Sequence, residues 1–115
     1  MEIKDLDYNI QYDEATKTVK FTGSIRLQNL PAYEPIKLFL RDAAKLCQGT
    51  LLTMDFRDLQ FVNSSGITTL SMFIIDSRKS AACQIKIQGS LNVSWQSKSL
   101  SNFKKLWDQV VLEIS

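Results

Sequence analysis

The feature that most constrains this chain is a short apolar run followed within a few residues by a helix start. Leu51-Leu52-Thr53-Met54-Asp55-Phe56 is mostly apolar, too short for a helix, and suits a central strand covered by helices. Asn63 is a good N-cap. Behind it Ile67, Leu70, Ile74 and Ile75 recur at helical spacing, with Met72 and Phe73 widening the stripe, and Arg78 and Lys79 stand in the last turn, where the helix dipole favours cations. The residues between, Asp58 to Val62, are expected to form a loop or a short helical turn. A strand leading directly into a helix at the centre of the chain calls for an α/β architecture.

The flanking segments extend this pattern. Residues 7–12 and 18–25 alternate apolar and polar around the turn-like Asp13-Glu14-Ala15-Thr16-Lys17, which predicts a hairpin, with 7–12 at or near a sheet edge. Asn29-Leu30-Pro31 marks a helix start. Ile36, Leu38, Phe39, Leu40, Ala43, Ala44 and Cys47 continue it, and Gly49 suits its end. Gln84–Gln88 alternates as a strand closed by Gly89, 95–107 carries Leu100, Phe103, Leu106 and Trp107 at helical spacing, and 110–114 is a last strand. The expected order is β-β-α-β-α-β-α-β in a single domain, residues 1–115. Strand–helix–strand units favour parallel pairs, so the sheet should be mixed, with its helices mainly on one face.

Composition narrows the function classes. Fourteen basic and 12 acidic side chains leave a formal charge of +2, too balanced to point to nucleic acid or a membrane surface. No apolar run approaches the roughly 20 residues of a membrane span. The polar start Met1-Glu2-Ile3-Lys4-Asp5 does not read as a secretory signal, so the expected compartment is the cytoplasm. There is no histidine, which removes the commonest general base and every Ser-His-Asp or Cys-His system. Cys47 and Cys83 match no metal spacing and read as small buried thiols. No cofactor motif is present, and the chain is not expected to be an enzyme.

Three groups of residues remain as candidates. Asn63, Ser64, Ser65 and Gly66 form the mouth of the central helix. The first turn of a helix leaves backbone N–H groups unpaired, and its dipole favours anions. Asn63 can cap one donor, Ser64 and Ser65 place hydroxyls there, and Gly66 would let another surface approach the backbone closely. Asp55 and Asp58 could act as a paired-carboxylate or Mg²⁺ site, although a solvated strand end or a contact to the helix mouth fits them better. Lys98, Lys104 and Lys105 form a small basic patch on the last helix, flanked by Trp95 and Trp107, of which Trp107 fits the core stripe and Trp95 could contribute to a partner surface.

The stretch from Met54 to Leu70, Met-Asp-Phe-Arg-Asp-Leu-Gln-Phe-Val-Asn-Ser-Ser-Gly-Ile-Thr-Thr-Leu, resembles the signature of STAS domains, and in particular the bacterial anti-sigma factor antagonists. In that family a strand leads through a short turn into Asp-Ser-Ser/Thr-Gly-Leu at a helix start. The resemblance implies a non-enzymatic, phosphorylation-switched protein-binding domain. Its partners would be an anti-sigma factor that is itself a serine kinase, and an opposing phosphatase. The acceptor would be Ser64, with Ser65 as the second candidate, and the binding surface would include Asn63, Gly66, Asp55 and Asp58. Asn63 stands where the family has aspartate, which keeps the cap and loses the charge. A related group of small bacterial phosphoproteins that activate a diguanylate cyclase carries Asn-Thr-Ser-Ser at a similar place. Two alternatives therefore stand beside the antagonist reading: a phosphoprotein regulating such a signalling enzyme, and a constitutive scaffold of the same fold. A monomer or weak homodimer is expected.

Overall fold

The computed structural model describes all 115 residues. Its strands are β1 (Glu2–Lys4), β2 (Tyr8–Asp13), β3 (Thr18–Ile25), β4 (Leu51–Val62), β5 (Gln84–Gly89) and β6 (Val111–Ile114). Its helices are α1 (Glu34–Leu46), α2 (Ser64–Ser80) and α3 (Gln96–Leu106), and a single 3-10 turn, Leu30–Tyr33, precedes α1. The six strands form one sheet in sequence order. β1, β2 and β3 pair antiparallel, and β3 to β6 pair parallel.

This topology follows from the connections. Each of the three parallel steps carries one helix and advances the sheet in the same direction. Crossovers of one hand that all advance the same way put every helix on the same face. α2 accordingly packs between α1 and α3, and the opposite face of the sheet has no helix. The expected mixed sheet with one helical face is therefore the observed fold.

The core lies between sheet and helices. Ile10, Val19, Phe21, Leu52, Met54, Phe56, Ile85 and Ile87 face inward from the strands and meet Leu40, Ala43, Ile74, Leu100 and Phe103 from the helices. The rings of Phe21 and Phe56 stack at 4.5 Å, and Trp95 meets Phe56 edge-on at 6.1 Å. Cys47 and Cys83 are buried free thiols, as expected. The Cys47 Sγ lies 3.2 Å from the Tyr12 hydroxyl.

One expectation is sharpened and two are corrected. First, residues 7–12 lie near the sheet edge, as expected, as the second strand rather than the outermost one. β1 pairs outside β2, and the Glu2 carboxylate accepts from the side-chain amides of Asn9 and Gln11. Second, Asn29 caps the 3-10 turn rather than α1, which begins only at Glu34. Third, Asp58 to Val62 form neither loop nor turn, because β4 runs unbroken to Val62.

Two register shifts explain that third difference. Lys20 lies opposite Asp55 but Thr22 opposite Asp58; Gly23 lies opposite Leu59 but Ser24 opposite Phe61. β4 thus holds one extra residue at each step, as in a β-bulge. The core-facing positions become Met54, Phe56, Leu59 and Val62, so strict alternation is lost while the strand persists. On the β3 side, Gly23 has φ +89, and a Cβ there would lie 2.2 Å from the Asp7 carbonyl oxygen. Only glycine fits that position.

β5 pairs with β4 only as far as Asp55. Beyond that point the start of α3 takes over. Gln96, fully buried, donates from Nε2 to the Phe56 and Leu59 carbonyls, and the Trp95 indole N–H donates to Leu59 at 2.8 Å. Trp95 is therefore tied into the fold as well as partly exposed. Trp107 is half-buried against the core.

Candidate functional site

α2 starts where β4 ends, and four hydrogen bonds fix its mouth. The Asn63 Oδ1 accepts from the Gly66 N–H at 3.0 Å, the N-cap bond expected from the sequence. The same oxygen accepts from the Tyr33 hydroxyl. The Asn63 Nδ2 donates to the Leu27 carbonyl at 2.8 Å, and the Leu27 N–H points back to the Tyr33 oxygen at 3.4 Å. Leu27, Tyr33 and Asn63 therefore close a ring of hydrogen bonds that joins the β3–α1 connection to the helix start. Tyr33 is buried, and burial pushes its phenol above its ordinary value, with the Leu27 contact working against this. It stays a proton donor at neutral pH.

This ring gives a physical reason for asparagine at position 63. One side-chain atom must accept, and the other must donate to a carbonyl. Aspartate supplies only acceptors when ionised. The signal in the sequence was the departure from the family pattern; the partners that explain it lie 30 and 36 residues away.

Gly66 is also corrected. It is buried, and a Cβ there would lie 2.3 Å from Val62 Cγ2 and 2.8 Å from the Tyr33 hydroxyl. The close approach that requires glycine is made by the chain's own residues, so Gly66 offers no open backbone to another protein.

Ser64 and Ser65 differ in access. Ser64, the first residue of α2, is exposed; Ser65 is half-buried, and its carbonyl accepts from the Thr69 hydroxyl at 2.9 Å. α2 is 17 residues long and has no acidic residue in its first turn, so nothing there offsets the positive end of its dipole. Arg26 stands beside this mouth, its guanidinium 4.6 Å from the ring centre of the exposed Phe61.

Asp55 and Asp58 lie elsewhere. Eight and five residues of strand separate them from Asn63, roughly 25 and 15 Å along β4 at about 3.3 Å per residue. They belong to the open face of the sheet. Arg57 grips the buried Asp55 carboxylate, Nε to Oδ1 at 3.0 Å and Nη2 to Oδ2 at 2.9 Å, with its backbone N–H adding a third bond at 3.0 Å. Lys20 reaches Asp58 at 2.8 Å and Asp55 at 3.6 Å. Burial, the largest single influence, raises the Asp55 carboxyl; the Arg57 hydrogen bonds and the Lys20 charge outweigh it and hold the group below its ordinary value. The pair is thus an ion network with two cations, remote from the helix mouth. No three His, Cys, Asp or Glu side chains are grouped as metal donors.

The remaining candidates are structural in part. Lys104 donates to the carbonyls of Asp108 and Val110, which closes the turn into β6. Gln96, which holds β4 to α3, gave no sequence signal, because its partners are backbone carbonyls 40 and 37 residues away. No helix is long and apolar enough to cross a membrane.

No family model and no curated protein matches the chain. Solved structures do. SiaC of Pseudomonas aeruginosa is 13% identical, with a TM-score of 0.70 over all of this chain and 98% of that one. A chain in the crystal structure of the diguanylate cyclase SiaD in complex with its activator SiaC, from the same organism, is 11% identical, with a TM-score of 0.73 over 100% and 99%. Apo-SiaC is 15% identical, with a TM-score of 0.71 over 100% and 97%. At these identities the likeness is one of fold, and the fold is the STAS-like one.

Proposed function

We propose that this chain is a non-enzymatic regulator that binds a signalling enzyme of the diguanylate cyclase kind at the mouth of α2, and that a phosphate on Ser64 releases it. The observation that carries the proposal is the exposed Ser64 on the first turn of α2, in a chain that shares its whole fold with SiaC, the activator in the SiaD complex. The narrower reading, an anti-sigma factor antagonist facing a serine kinase and a phosphatase, makes the same demand of Ser64. The partner named in the solved complex is a cyclase, which favours the cyclase over the sigma pathway.

The chemistry supports a switch at this residue. A phosphate on Ser64 would bring nearly two negative charges to the positive end of a helix, a local stabilisation on the order of 0.3–2 kcal/mol. Such a change leaves the fold intact. A partner surface seated on the mouth would meet a dianion instead of a hydroxyl, with repulsion from its carboxylates and a desolvation cost against its apolar atoms.

The test uses a diguanylate cyclase from the same genome as this chain. The expected result is that the unmodified chain and Ser64→Ala bind it and raise cyclic di-GMP synthesis, while Ser64→Asp does neither. Phosphate mapped to Ser64 after incubation with the cognate kinase and ATP would complete the case. Equal binding by all three forms, or phosphate at neither Ser64 nor Ser65, would sink it.

A further inference from the structure

α1 and α2 run side by side from the same end of the sheet, and a groove lies between them. Its first stretch, about 420 Å³, opens beside the 3-10 turn between Leu30 and Met72. Its second, about 530 Å³, continues toward the helix ends past Arg41, Lys45 and Asp76. Lys37 lines both stretches, so the groove is continuous.

The two ends differ in character. Leu30 and Met72 are 46% and 39% exposed and form an apolar entrance in the half of the groove nearer Ser64, with Met72 about 12 Å along α2 from that residue. Lys37, Arg41 and Lys45 are four residues apart on α1 and therefore form one row along its face. The chain's four ion pairs all lie on the open face of the sheet and use Lys20, Arg57 and Lys86. None uses the row on α1, although Glu34 and Asp76 also line the groove. The groove presents three unpaired cations against two carboxylates.

We infer that this groove docks an acidic amphipathic helix of a partner protein, with its apolar side chains over Leu30 and Met72 and its carboxylates along Lys37, Arg41 and Lys45. The inference rests on the protein-binding reading above and supplies the chemistry of the partner. Helix-in-groove recognition needs an apolar anchor and a matching charged flank, and both are here. α1 spans 13 residues, about 20 Å at about 1.5 Å per residue, so the docked helix has about 13 residues. Ser64 stands beyond the apolar half of the groove, on the first turn of α2. A dianion there opposes an acidic occupant, which is how a modification outside the groove would act on it.

The probe is a 14-residue helical peptide with leucines at helical spacing and glutamates on the flanks, titrated into the full chain labelled with ¹⁵N. A second peptide carries lysine at every glutamate position. The expected result is saturable binding of the acidic peptide alone, with amide shifts along Lys37, Arg41 and Met72. Binding should weaken about tenfold or more in the triple variant Lys37→Glu, Arg41→Glu, Lys45→Glu, the cumulative effect of three surface charge pairs. Met72→Asp should weaken it independently. All four side chains lie outside the core, so folding is retained and checked by circular dichroism. Equal binding of the lysine peptide, shifts confined to the open sheet face, or no saturable binding at millimolar peptide overturns the inference. The readout involves neither kinase nor cyclase, so its failure leaves the Ser64 test standing and places docking elsewhere on the chain.

Discussion

Replacing Asn63 by aspartate restores the residue the anti-sigma antagonists carry and isolates one atom. The cap to Gly66 and the Tyr33 bond both use Oδ1, so aspartate keeps them. The bond from Nδ2 to the Leu27 carbonyl, 2.8 Å long, is lost, and an oxygen faces an oxygen. Losing that bond leaves a half-buried carbonyl unpaired, which costs about 1–3 kcal/mol in all. A charged cap at the positive end of α2 returns about 0.3–1 kcal/mol. The net expectation is a destabilisation of about 1–2 kcal/mol at pH 7. For a domain of this size that lowers Tm by about 4–8 °C. Asn63→Ala, which also loses the cap and the Tyr33 acceptor, should cost about 2–4 kcal/mol. Urea unfolding of the three proteins at one pH measures both differences. An aspartate variant as stable as the parent would refute the reasoning that the amide nitrogen is what position 63 requires.

Other expectations follow from the same structure. Gly66→Ala should destabilise by about 1–3 kcal/mol in urea unfolding, because its Cβ would collide with Val62 and Tyr33; helix propensity alone predicts a gain, and a gain would contradict the packing described here. Gln96→Ala strips partners from the Ser90 N–H and the Phe56 and Leu59 carbonyls and should cost about 2–4 kcal/mol by the same measurement. The folded Asp55 carboxyl lies below its ordinary value, so its contribution is present above about pH 4 and is lost as pH falls through the folded value. Stability should therefore fall less steeply between pH 5 and pH 2, each of these about a carboxylate's range, in Asp55→Asn than in the parent. Burial pushes the Cys83 thiol up to about 11, so alkylation of the native chain at neutral pH should be very slow and should become fast on unfolding.

Much of the fold could be read from local pattern. The hairpin, the three helices and the parallel half follow from the spacing of apolar residues and from caps such as Asn63, and the solved neighbours share the resulting architecture. What escaped had a common cause. β4 carries two extra residues, so its alternation fails at Arg57 and again at Gln60, and a reading by period two stops at Phe56. β1 has three residues and depends on β2 for its partners. The 3-10 turn, capped by Asn29, places Tyr33 where its hydroxyl reaches back to Asn63. At the helix mouth the cap was legible, because it is a bond over three residues; the bonds to Tyr33 and Leu27 were not, because they span the whole of α1 and β4. A β4 ending at Phe56 would bring Asp55 and Asp58 close to the mouth; the unbroken strand to Val62 keeps them away from it.

The hydrogen-bonded ring of Leu27, Tyr33 and Asn63 has a consequence for affinity as well as for folding. It welds the approach to the 3-10 turn and the first turn of α2 into one rigid platform, with Leu30 on one side and Ser64 on the other. On the proposed function, a partner landing there would find its seat already formed and would lose little conformational entropy in ordering it. On the same proposal, a phosphate on Ser64 would stand on a backbone held in place by that ring, so its charge would fall beside whatever is docked.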